Sequence, residues 1–138
     1  MAFGDFSPAR GEPLALPTEI LRRFASSDSV GGGAARLRLP LRDGHLRPGP
    51  SVSGPTLMTL ADTAIYFALL GELGPTLLAV TTNLNINFMR GCASGEIVAD
   101  ARLLKLGRRL AVGEVSIHPV GSDELIAHAT VTYSIPPR

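Results

Sequence analysis

Residues 53–71 read Ser-Gly-Pro-Thr-Leu-Met-Thr-Leu-Ala-Asp-Thr-Ala-Ile-Tyr-Phe-Ala-Leu-Leu-Gly, an apolar stretch with a single carboxylate, Asp62. Leu57, Leu60, Ala61, Ala64, Ile65, Ala68 and Leu69 follow the i, i+3, i+4, i+7 spacing that makes one helical face continuously apolar. The remaining face carries Met58, Asp62, Tyr66 and threonines, so no side is strongly charged. Such a helix has to be enclosed by the rest of the fold. An ionisable group within it is either paired for structure or kept for chemistry.

The rest of the chain must therefore supply a cover. At 138 residues it suits a single domain, residues 1–138, with 1–15 as an irregular arm rich in Gly and Pro. Hydrophobic residues make up 45% of it, which fits a globular chain and hints at further burial between subunits. Net charge is +1, aromatics are 5% and Trp is absent, which argues against a platform that stacks on nucleic-acid bases. The lone Cys92 excludes an internal disulfide, and the three histidines show no zinc-ligand spacing. The first ten residues lack the apolar core of a signal peptide, and no apolar run of 18 residues is expected. The expected setting is cytoplasmic, without a membrane partner.

Pro17 with Ile20, Leu21 and Phe24 predicts a short helix ending near Ser26–Ser29, before a break at Gly31–Gly33. A strand follows from Ala35. Pro55 is expected at the first helical position of the central helix, with Gly54 as its N-cap and Gly71 and Gly74 at its end. Alternation then predicts four strands: 79–89, 97–103, 110–117 and 125–133. Parity in the first of these puts Val80, Leu84, Ile86 and Phe88 on one face and Thr81, Asn83, Asn85 and Asn87 on the other. Gly107-Arg108-Arg109 reads as a tight hairpin. Strands joined by short turns are antiparallel, so the fold class is α+β, with one sheet covering one long helix.

That order, with Leu60-Ala61-Asp62-Thr63-Ala64 at its centre, resembles the hotdog fold and, within it, the PaaI-like acyl-CoA thioesterases. The resemblance also rests on Ser53-Gly54-Pro55, on Asn85-Ile86-Asn87-Phe88-Met89-Arg90 and on Leu106-Gly107-Arg108-Arg109, and covers about residues 35–135. It implies a homodimer or homotetramer with active sites between subunits. It further implies that Asp62 is the nucleophile or general base and that the Gly54 N–H of the other subunit polarises the thioester carbonyl. Thr81 would help place the attacking water, and Lys105, Arg108 and Arg109 would lie near the coenzyme A phosphates. Ser53, Pro55, Arg47, Asn83 and Arg90 complete the candidate substrate-binding set. Coenzyme A is then part of the substrate, and no separate cofactor is expected.

These roles suit the chemistry. Thioester hydrolysis builds negative charge on the carbonyl oxygen, which a free N–H at a helix start meets with a fixed donor and a favourable dipole. An apolar pocket raises the basicity of a carboxylate. The chain departs from the family pattern His-Gly-Gly, having Ser53 for the His and Pro55 for the second Gly. An upstream Asn of the pattern is also absent; His45 or Arg47 occupies that loop. The competing function is a hotdog protein that binds acyl-CoA without hydrolysing it, and a dehydratase or hydratase on the same fold is a third.

Overall fold

Two glycines decide how the sheet begins. In the computed structural model, which describes residues 25–74 and 78–137, β1 (Ser26–Gly31) pairs antiparallel with β2 (Ala34–Pro40). Gly32 and Gly33 between them take φ of 63° and 74°, the handedness a two-residue hairpin needs to match strand twist. The helix end expected at Ser26–Ser29 is thus a strand, and the expected break is a hairpin. All six β1 residues are exposed, so the strand leaves no period-2 trace in the sequence. The arm over 1–15 and the helix start at Pro17 lie outside the described residues.

A 3₁₀ turn (Asp43–His45) and a two-residue ladder, β3 (Leu46–Arg47) with β4 (Ser51–Val52), lead into α1 (Gly54–Leu73). Then follow β5 (Val80–Phe88), β6 (Glu96–Leu106), β7 (Leu110–Pro119) and β8 (Ala127–Ser134). The six long strands form one antiparallel sheet in the order β1-β2-β6-β7-β8-β5. One long helix against this sheet is the hotdog arrangement the sequence led us to expect.

Every residue of α1 from Leu60 to Leu69 is buried. The inner face of the sheet meets it with Leu37 and Leu39, Ile97 and Ala99, Val115 and Ile117, and Ala129 and Val131. Small residues let the layers close: a methyl added at Gly113 of β7 would collide with Ile65. By length and mean hydropathy alone, 1.3, α1 passes for a helix that could cross a membrane. Here 61% of that stretch is buried within the fold.

One register detail corrects the parity expected for β5. Thr81 lies opposite Tyr133 but Asn83 lies opposite Thr132, so Thr82 is an extra, bulged residue. The bulge turns Thr81 onto the inner face with Leu84, Ile86 and Phe88, away from Asn83, Asn85 and Asn87. Strict alternation could not show this, because it assumes an unbroken ladder.

The outer face is polar. Asp100 joins Arg36 at 3.6 Å and His118 at 2.8 Å. One strand over, Glu114 joins Arg102 at 2.6 Å and His128 at 3.0 Å.

Candidate active site

The start of α1 is built by its neighbours. The Ser53 hydroxyl accepts a hydrogen bond from the Thr56 N–H at 3.3 Å, which makes Ser53 the N-cap, Gly54 the first helical residue and Pro55 the second. The cap therefore sits one residue earlier than expected, because a hydroxyl satisfies the N3 donor and a glycine cannot. The Ser53 N–H donates to the His45 carbonyl at 2.8 Å, and the Val52 N–H to Cys92 at 2.7 Å, fixing the loop before the helix. Of the helix's first donors, Pro55 has none, Thr56 is capped and Leu57 bonds the Ser53 carbonyl at 3.1 Å. The Gly54 N–H alone is left without an acceptor among the described residues. The ring of Phe88 lies against Gly54 so closely that a Cβ there would sit 3.3 Å from Cζ.

Two turns on, Asp62 is buried at 8% exposure. Its Oδ1 accepts from Thr81 Oγ1 at 2.6 Å and from the Tyr133 phenol at 2.7 Å. That phenol also lies 3.2 Å from the Asp62 carbonyl, and its ring stacks on Tyr66 with centroids 5.9 Å apart. No cation pairs with Asp62 among the described residues. Burial, reinforced by the Asp62 charge, pushes the Tyr133 phenol far above its ordinary value, so it stays protonated and donates. Burial also pushes Tyr66 up.

The structure thus brings Asp62 and Thr81 together and adds Tyr133, which sequence reasoning missed. The signal was present: on the inward parity of β8, after Ala127, Ala129 and Val131, a phenol needs a partner. Gly54 is not part of this cluster. Eight residues of helix at 1.5 Å each separate its N–H from Asp62 by about 12 Å along the axis.

The other candidates scatter. Arg47 is exposed on β3, and Asn83 is exposed on the outer side of β5. Arg90 pairs with Glu124 at 2.6 Å. Lys105, Arg108 and Arg109 are exposed at the β6–β7 hairpin without an ion-pair partner among the described residues. That hairpin continues the row Thr81–Tyr133–Ala111–Leu106, which crosses the sheet at the level of Asp62. Among the described residues no group of three or more His, Cys, Asp or Glu side chains could hold a metal ion.

The sequence profile of the thioesterase superfamily matches residues 49–126, which span the helix start, Asp62 and Thr81. The chain belongs to the thioesterase superfamily. Among solved members of the fold, a Silicibacter protein provisionally named a thioesterase is 42% identical, with a TM-score of 0.80 over 90% of this chain and 87% of that one. A point variant of the phenylacetic acid degradation protein PaaI from Thermus thermophilus is 25% identical, with a TM-score of 0.75 over 86% and 99% of the two chains. A relative from Thermoplasma acidophilum, provisionally named an esterase, is 24% identical over 106 residues, 77% of this chain and 79% of its own. Membership of the thioesterase superfamily and these names support hydrolysis of a thioester.

Proposed function

We propose that the protein hydrolyses an acyl-CoA thioester, with Asp62 as the base or nucleophile. The observation that carries this is a buried carboxylate held by two hydroxyls and, among the described residues, offset by no cation. Such a group costs stability and is kept where it reacts. In the base route, Asp62 takes a proton from water, the hydroxide adds to the thioester carbon, and collapse breaks the C–S bond. The proton then passes to the leaving sulfur, giving free acid and the coenzyme A thiol.

The oxyanion donor in this reading is the Gly54 N–H of a second copy. Within one chain the gap of about 12 Å is too long for both groups to meet one carbonyl. Support for a second copy comes from β5, a sheet edge with an unpaired side, on and beside which Val80, Phe88 and Met89 are all more than half exposed. Lys105, Arg108 and Arg109 are suited to the phosphates of coenzyme A. From the Thr81 strand to Leu106 is three strand spacings, about 14 Å, a distance the pantetheine arm spans.

Thiol release from aryl, short, medium and long acyl-CoAs tests the proposal, with sedimentation to follow the oligomer. Turnover by the parent that is lost in Asp62→Asn is the expected result. Micromolar binding without thiol release would overturn it in favour of an acyl-CoA carrier. Pro55 motivates that second outcome, since it removes one donor from the helix start.

A further inference from the structure

Both donors to the Asp62 carboxylate converge on the same oxygen. Oδ1 accepts from Thr81 and from Tyr133, while Oδ2 accepts from nothing among the described residues. Oδ2 is nonetheless not sealed away: among those residues the one sealed side-chain polar atom lacking a hydrogen bond is Glu96 Oε2. The two oxygens of one carboxylate are thus in unlike surroundings, one holding two hydrogen bonds and the other none among the described residues.

The donors come from separate elements, β5 and β8, across one register pair. A carboxylate fixed on one oxygen from two strands has little freedom to rotate, whereas one donor would leave it a pivot. The Tyr133 ring is itself fixed against Tyr66, so the donor cannot swing away. Its phenol remains protonated through the neutral range, so it donates and does not compete for a proton.

We propose that Tyr133 is a positioning residue that, with Thr81, holds Asp62 by Oδ1 and so assigns Oδ2 as the oxygen that meets water or the thioester. This rests on the hydrolytic reading of the site above. A phenol that merely fills space beside Tyr66 would do none of this, and the two roles separate experimentally.

Tyr133→Phe keeps the ring and its stack and removes the donor. At saturating acyl-CoA its kcat is expected to fall about tenfold, the loss typical of a hydrogen bond to a charged group. The KM is expected to change little. The acid limb of its pH–rate profile is expected to move up, because the anion has lost a donor.

Infrared titration of the Asp62 carboxyl, assigned by its absence in Asp62→Asn, reads the same displacement without turnover. Retained kcat in Tyr133→Phe overturns the proposal, as does an infrared band that appears at the parent's pH, whatever kcat does. A displaced band in a protein that hydrolyses no acyl-CoA would instead count against the substrate assigned above while upholding the grip on Oδ1.

Discussion

On the outer face of the sheet Asp100 lies between the His118 ring at 2.8 Å and the Arg36 guanidinium at 3.6 Å. On the inner face Asp62 meets, among the described residues, only hydroxyls, Thr81 at 2.6 Å and Tyr133 at 2.7 Å. Both carboxylates have two or more partners, yet the partners differ in kind. Outside, charge is balanced by charge within reach of water, where such pairs contribute about 0–1 kcal/mol. Inside, the carboxylate is oriented by hydroxyls, and among the described residues no cation offsets its burial. Fold stability alone would select against the second arrangement, which is why it points to chemistry.

The sharpest way to break this contrast is Asp62→Asn. It is expected to lower kcat by about 10²–10⁴-fold, the usual contribution of a positioned acid–base group, while the melting temperature does not fall. A thiol-release assay beside a thermal melt checks both halves. Gly113→Val tests the opposite property of the inner face, its tolerance of bulk. The added methyls drive into Ile65, and a loss of about 1–3 kcal/mol is expected in denaturant titration. Arg102→Ala on the outer face removes a 2.6 Å ion pair from an exposed, solvent-screened site, so its loss in the same titration should be far smaller than that of Gly113→Val.

The smallest effect depends on pH. Burial works against protonation of His118, but the hydrogen bonds to Asp100 and to the Pro119 carbonyl outweigh it, and its pKa lies above the ordinary 6.5. The contribution is full below about pH 6.5, the unfolded value, and is lost as pH rises through the higher folded-state value. Asp100→Asn should therefore lose more stability at about pH 5.5 than at about pH 9, a difference readable from paired melts. Equal losses at both would mean that His118 contributes no charge to the outer network.

The sequence made α1, β6, β7 and β8 legible because each buries a face, and burial imprints a period; β5 showed through the alternation that half-buries Leu84 and Ile86. It missed β1, which buries none. It placed Asp62 by motif and Thr81 by alignment, yet gave Thr81 the wrong face, because a bulge is a property of two strands and is written in neither alone. It put the helix cap at Gly54, one residue late, because the Ser53 hydroxyl that caps Thr56 is a side-chain contact that spacing does not show. Tyr133 escaped notice because its partner lies 71 residues away in sequence.

The bulge at Thr82 also has a bearing on error tolerance. Thr81 and Thr82 are consecutive and chemically identical, and only the extra residue decides which of them stands opposite Tyr133. Were the irregularity to migrate by one position, the replacement would present the same hydroxyl to the same carboxylate. A test of the hydroxyl is therefore cleanest with both threonines removed, since the two differ only in which one the bulge sets opposite Tyr133.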